Sequence, residues 1–345
     1  MDSSKKIIGF FILTAVFLSG CLTTDPTPTA EQTPLVTVPT TTTGQLTTTP
    51  LPAPPTPTPI PTAEPSLTST FPPTITPTAT PTPIRFAVIG DYGLAGQPAQ
   101  AVATLVHNWQ PDFIITTGDN NYPSGQAETI DENIGQYYAG YIYPYTGIYG
   151  PGAEGENRFF PSLGNHDWDA PGIQPYLDYF VLPGNERYYD FTWGPVHFFV
   201  VNSDSREPDG VSRGSVQAAW LEQGLAASEL PWKIVYGHLS PYSSATHGGI
   251  AWMNWPFAEW GAAALLAGHD HVYERIVLDG FPYIINGLGG GPRYAFAEPV
   301  PGSVVRYRDN HGAMLVTADW QQITFQFFTI EEELIDTYTL IEDAH

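Results

Sequence analysis

Beyond residue 83 the chain is punctuated by short apolar runs, several of which stop at a Gly followed by a polar residue. Phe86-Ala87-Val88-Ile89 stops at Gly90-Asp91, and Phe113-Ile114-Ile115 leads through two threonines to Gly118-Asp119. Such runs predict buried strands there and at Phe159–Leu163, His197–Val201, Ile234–Tyr236 and Ala263–Leu266. Between them the period changes. Pro98 opens a stretch with Val102, Leu105 and Val106 on one helical face, and Ser215–Ala227 also reads as helix. Strand alternating with helix predicts an α/β fold, whose sites gather beyond the carboxyl ends of strands. The tail differs. Tyr283–Ile285, Ala313–Thr317, Ile323–Thr329 and Leu334–Leu340 read as strands with little helix between them, so the sheets are expected to be mixed. No internal repeat is visible.

The first 83 residues do not read as a fold. Lys5 and Lys6 precede the apolar run Ile7–Leu18, which is short for a membrane span and has the length of a signal-peptide core. The run closes on Leu18-Ser19-Gly20-Cys21, which resembles the bacterial lipoprotein cleavage box with Cys21 as the lipidated first residue. A plain signal peptide with an incidental Cys is the alternative. From Leu22 to Pro83 Thr and Pro dominate. Such a segment cannot bury enough surface to fold, and its prolines favour extended polyproline II. At about 3 Å per residue it reaches on the order of 100–200 Å when extended. It reads as a stalk, O-glycosylated or plain. The expected organisation is a lipoprotein signal peptide over 1–20, an anchor Cys and Thr/Pro-rich linker over 21–83, and a catalytic domain over 84–345. The expected location is the cell surface, with the membrane reached through Cys21.

Composition narrows the partners. The formal net charge is −23 and the pI about 4.4. This excludes non-specific binding to nucleic acid or anionic membrane, which needs basic surface. An anionic substrate stays open, because bound cations can make a local positive site. With Cys21 the sole cysteine, no intramolecular disulfide and no cysteine-rich zinc site can form.

Five short motifs carry the chemistry. They are Gly90-Asp91-Tyr92-Gly93, Gly118-Asp119-Asn120-Asn121-Tyr122, Gly164-Asn165-His166-Asp167, Val235-Tyr236-Gly237-His238 and Gly268-His269-Asp270-His271. Each supplies oxygen or imidazole donors of the kind that hold first-row metals. Asp91 and Asp119 follow apolar strands that would meet if parallel neighbours. His269 and His271 are two apart, so both face one site only if the backbone bends, which Gly268 permits.

Together the motifs resemble the purple acid phosphatases, within the calcineurin-like metallophosphoesterase superfamily. That pattern is GDxG, GDxxY, GNH with an acidic residue, VxxH and GHxH, and this chain matches all five blocks over roughly 84–275. The resemblance implies a four-layer sandwich of two mixed β-sheets flanked by helices. It implies a dinuclear centre. A ferric ion takes Asp91, Tyr122 and His271; a divalent ion (Fe, Zn or Mn) takes Asn165, His238 and His269; Asp119 bridges them. Gly93 stands where most of the superfamily has a His, and Tyr122 replaces that ligand. About +5 of metal charge then faces about −4 of ligand and hydroxide charge, which leaves the site open to an anion. The implied reaction is hydrolysis of small phosphate esters by in-line attack of metal-bound hydroxide.

His166 and His247 are the candidates for phosphate binding and general acid work, since an imidazolium can protonate a leaving alkoxide. The family keeps a histidine at the offset of His247 from His238. Arg293 and the tyrosines between Tyr137 and Tyr149 read as ordinary loop and packing residues. The main expectation is a phosphomonoesterase of the acid phosphatase type. A phosphodiesterase or nucleotidase with the same metals is the alternative, and a non-catalytic surface binding module a further one. No protein partner is predicted.

Overall fold

A computed structural model describes residues 82–169 and 172–342. The signal-like segment, Cys21 and the Thr/Pro stretch as far as residue 81 lie outside the described residues. The first strands are β1 (Ile84–Ile89), β2 (Phe113–Thr116), β3 (Phe159–Pro161), β4 (Tyr189–Trp193), β5 (Val196–Val200) and β6 (Trp232–Tyr236). They are followed by β7 (Ala264–Ala267), β8 (Tyr273–Leu278), β9 (Phe281–Asn286), β10 (Ser303–Tyr307), β11 (Gly312–Ala318), β12 (Gln322–Thr329) and β13 (Leu334–Ile341). Helices α1 (Gln97–Trp109), α2 (Gln174–Tyr179) and α3 (Val216–Ala227) lie between them, with an irregular helical run over residues 127–141.

The strands make two mixed sheets, as the tail of the sequence predicts. One has the order β13-β12-β11-β1-β2-β3 and the other β10-β8-β9-β7-β6-β5-β4. In the first, β1, β2 and β3 run parallel while β1 and β11 are antiparallel. In the second, β5, β6, β7 and β9 run parallel and the outer pairs are antiparallel. The sheets face each other through apolar side chains. Phe86 of β1 meets Phe198 of β5 edge-on at 5.1 Å, and Phe113 of β2 meets Phe198 at 5.4 Å. The other face of the second sheet packs Phe199, Val235, Leu265 and Ile285 with Leu221 and Leu225 of α3. Ser215 starts α3 as its N-cap, its Oγ accepting the Ala218 N–H at 3.1 Å. The fold is thus α/β, two mixed sheets flanked by helices. Among the described residues no helix is long and apolar enough to cross a membrane.

The topology decides where the motifs go. Parallel strands end at one edge, so the residues after β1, β2 and β3 collect beside those after β6 and β7. All five motifs lie at or just beyond such ends. Of the tyrosines from 137 on, Tyr137, Tyr138 and Tyr141 are buried and the Tyr145 hydroxyl donates to Asp131 at 2.7 Å, whereas Tyr143 and Tyr149 are exposed and do not pack as expected.

Candidate metal centre

Asp91, Asp119 and His269 each sit directly after a Gly at a strand end, and each has left-handed backbone, with φ of 54°, 53° and 70°. That conformation costs a non-glycine residue roughly 1–2 kcal/mol and is found where function demands a particular side-chain direction. The bend between the two histidines of the last motif is therefore made by His269, not by Gly268 as the sequence suggests. The glycines serve close approach instead. A Cβ on Gly118, itself at φ 86°, would stand 2.7 Å from Nδ1 of His238. One on Gly164 would collide with the backbone and carboxylate of Asp119.

The seven candidate ligand side chains form two groups that share Asp119. In the first, the Tyr122 hydroxyl lies 2.9 Å from Asp119 Oδ2, 3.4 Å from Asp91 Oδ1 and 3.0 Å from His271 Nε2. His271 Nε2 is also 3.3 Å from Asp91 Oδ1. In the second, His238 Nε2 lies 3.0 Å from Asn165 Oδ1, 3.4 Å from Asp119 Oδ1 and 3.2 Å from His269 Nδ1. The two oxygens of Asp119 thus point to different groups.

The donor chemistry fits cations. His238 donates Nδ1–H to the Thr117 carbonyl at 2.8 Å, and His271 donates Nδ1–H to the Pro292 carbonyl at 2.5 Å. Each therefore turns an Nε2 lone pair inward, the tautomer that metal-ligating histidines commonly adopt. Asp91 and Asp119 are 0% and 2% exposed. Among the described residues neither pairs with Lys or Arg. Burying two carboxylates without a matching positive charge is costly, and bound cations supply that charge.

The two remaining candidates flank the cluster. The His166 N–H donates to Asp119 Oδ1 at 3.0 Å. Its Nδ1 meets the Pro123 carbonyl at 2.5 Å, while Nε2 faces Asp119 Oδ2 at 4.0 Å. The His247 ring lies over that of His269, 4.3 Å between centroids. Arg293 is exposed and donates to the Asp309 carbonyl, in keeping with a solvated loop residue.

Sequence reasoning singled out no role for Asp167, Asp270 or Tyr294. Asp167 is buried and accepts N–H groups from Gly164 at 2.8 Å and from the Asn120 side chain at 2.8 Å. It thereby ties the second motif to the third. Its position after Gly164-Asn165-His166 was the only available signal.

With no cation bound, protons must supply the positive charge. Burial disfavours the charged form of His238, but Asp119 and Asp91 outweigh it and raise the imidazole above its ordinary value. His271 is raised in the same way, burial being outweighed by Asp91. Burial and then Asp119 push the Asp167 carboxyl up to about 7. His269 goes down to about 2, through burial and its neighbours His238 and His247. A raised group stabilises the fold below its unfolded pKa and loses that contribution as pH rises through its folded value. His269 has the opposite sign, but above about pH 6.5 it is neutral in both folded and unfolded chains. From about pH 6.5 upward the raised groups therefore all act in one direction, and His269 adds little. The chelator-treated protein is expected to lose Tm as pH rises through this window. The Tm gain on adding metal is expected to grow over the same window, because cations displace those protons. Thermal melts with and without metal check this; a metal-induced gain independent of pH would refute it.

The comparisons with known proteins point to one family. The family model for calcineurin-like phosphoesterase matches residues 84–273. Purple acid phosphatase 17 of Arabidopsis thaliana is 25% identical over 293 residues, covering 73% of this chain and 82% of the relative. Tartrate-resistant acid phosphatase type 5 of Rattus norvegicus is 26% identical over 268 residues, covering 65% of this chain and 78% of the relative. Among solved structures, a purple acid phosphatase from yellow lupin (Lupinus luteus) seeds superposes with a TM-score of 0.61 at 18% identity. That match covers 75% of this chain and 54% of the lupin chain, and it bears on the fold alone.

Proposed function

The chain belongs to the calcineurin-like phosphoesterases, metal-dependent phosphoric ester hydrolases, and from that premise we propose that it is a phosphomonoesterase of the acid phosphatase type with a dinuclear centre. A ferric ion is held by Asp91, Tyr122 and His271. A divalent ion (Fe, Zn or Mn) is held by Asn165, His238 and His269, and Asp119 belongs to both. The observation that carries this reading is the division of the Asp119 carboxylate, one oxygen 2.9 Å from the Tyr122 hydroxyl and the other 3.4 Å from His238 Nε2. When bound, such a metal pair lowers the pKa of water and polarises phosphate oxygens.

The protein's own groups do the rest. Asp119, fixed by the His166 N–H, keeps the two donor groups in register. The phosphate binds between the cluster and the rings of His166 and His247. His166 spends Nδ1–H on the Pro123 carbonyl, so a proton on Nε2 is free to move to the leaving oxygen. His247 presents its ring from the loop after β6 and serves as a second phosphate binder or proton donor.

Metal analysis and a substrate panel on the full chain test the proposal. Two metals per chain including iron are expected, with monoesters hydrolysed at least about tenfold faster than diesters in kcat/KM. A preference for diesters would favour the phosphodiesterase alternative. Bound metals without hydrolysis would favour the binding module.

The same reading includes the anchor. A signal peptide over 1–20 is removed, Cys21 becomes the lipidated N-terminus, and 21–83 holds the catalytic domain 84–345 away from the cell surface. Support comes from Lys5-Lys6, the short apolar run and Leu18-Ser19-Gly20-Cys21. Two or three acyl chains anchor stably where one does not. Mass spectrometry of the mature protein is expected to find an acylated Cys21 at the N-terminus. Cleavage elsewhere with Cys21 unmodified would sink the idea.

A further inference from the structure

The loop that carries His247 is fastened to the very segment that carries His269 and His271. Asp270 lies between those histidines and is 2% exposed. Its neighbours turn toward the carboxylate cluster, and its own side chain turns to the loop. Asp270 Oδ1 accepts the His247 N–H at 2.9 Å, and Oδ2 accepts the Ser243 hydroxyl at 2.5 Å. Ser243 Oγ accepts the Ala245 N–H at 3.0 Å in turn. Four residues on from Asp270, the buried Glu274 accepts the Ser244 N–H at 2.8 Å and the Ser303 hydroxyl of β10 at 2.6 Å. The loop is also tied to the one between β9 and β10, with the Ala297 N–H donating to the Ser244 carbonyl at 2.7 Å. From there Tyr294 lies flat on His271 at 4.1 Å and meets His247 edge-on at 5.2 Å.

Among the described residues Asp270 pairs with no Lys or Arg. A buried carboxylate is costly unless its lone pairs are used, and these are used on the loop. The His247 ring, by contrast, makes no side-chain hydrogen bond to the described residues. Its place over His269 is set by its backbone and by stacking.

We propose that Asp270 is a positioning residue for hydrolysis, fixing the 243–247 loop so that the His247 ring stands over His269 and faces the reacting phosphate. This rests on the reading of His247 as a proton donor.

The test uses the full chain with Asp270→Ala, Asp270→Asn, His247→Ala and the Asp270→Ala/His247→Ala double variant. Metal content is measured in each, with rates on an alkyl and a nitrophenyl phosphate. Asp270→Ala is expected to keep its metals and to slow the alkyl ester about 10- to 100-fold, the size of effect seen when a partner of a working residue is removed. Nitrophenyl phosphate should be slowed less, because its leaving group hardly needs a proton. Asp270→Asn keeps an acceptor for the His247 N–H and should recover most of the rate. The double variant should be no slower than His247→Ala alone. If the two losses multiply while metals are retained, or if Asp270→Ala loses its metals, the inference is overturned. If His247→Ala leaves both rates unchanged, the reading of His247 falls and the inference with it. Ser243→Ala removes one Asp270 bond without touching the ligand segment. It should show the same ester dependence more weakly, and its absence would also count against the inference.

Discussion

Asp119→Asn is expected to lower kcat/KM on phosphate esters on the order of 10³-fold, because metal assistance supplies several kcal/mol and each 1.36 kcal/mol is tenfold. The substitution is chosen for the backbone. Asp119 sits at φ 53°, which Asn tolerates at least as well as Asp. It is also chosen for size, since the space beside the carboxylate is closed by Gly164. The fold should therefore survive. One carboxylate oxygen becomes an NH2, which cannot bind a metal. The carboxylate accepts the His166 N–H on Oδ1, so the amide is expected to keep its oxygen there and to turn its NH2 toward the Tyr122 hydroxyl, which can accept from it. Metal analysis should find about one metal per chain in place of two, with an unchanged far-UV circular dichroism spectrum. Two retained metals and activity within about tenfold of the parent would refute the shared role of Asp119.

Tyr122→Phe should abolish the visible absorption expected of the oxidised protein. The hydroxyl stands among Asp119, His271 and Asp91, at 2.9, 3.0 and 3.4 Å. Burial and then the two carboxylates hold the phenol well above its ordinary pKa. Only a strongly charged cation can replace that proton, which is why the proposal places the ferric ion here and not beside Asn165. The resemblance to purple acid phosphatases implies a phenolate-to-iron charge-transfer band. Phe keeps the ring that packs against His166, 4.6 Å between centroids, so the packing around the site should hold. Iron content and the visible spectrum are to be measured together. An iron-loaded, active wild type without colour, or a band that persists in the Phe variant, would overturn the assignment.

Much of the fold was legible because strand and helix signals are local. β1, β2, α1, α3 and the tail strands fall within a few residues of the apolar runs that predict them. β4, β8 and β10 were not legible. In β8, Glu274 and Arg275 interrupt the apolar pattern, yet both are buried. Glu274 is satisfied by Ser244 and Ser303, and Arg275 by Asp336 of β13 at 2.7 Å. Those partners are distant in sequence, so no local pattern announces them. β10 alternates half-buried and exposed residues at a sheet edge, where apolar periodicity is weak.

The sequence by itself determined the donor inventory, its order along the chain and its place after apolar strands. Gly-Asp after a strand is a local instruction, set by side-chain periodicity and by the one residue type that allows close approach. Tertiary structure alone decided which donors face one another. Tyr122 and His271 are 149 residues apart and meet only because β2 and β7 end at the same edge of two facing sheets. The division of the Asp119 oxygens, the turn made by His269 and the hold of Asp270 on the His247 loop arise in the same way. Sheet order and register fix such contacts, and these are settled by how the two apolar faces pack, which no stretch of a few residues encodes.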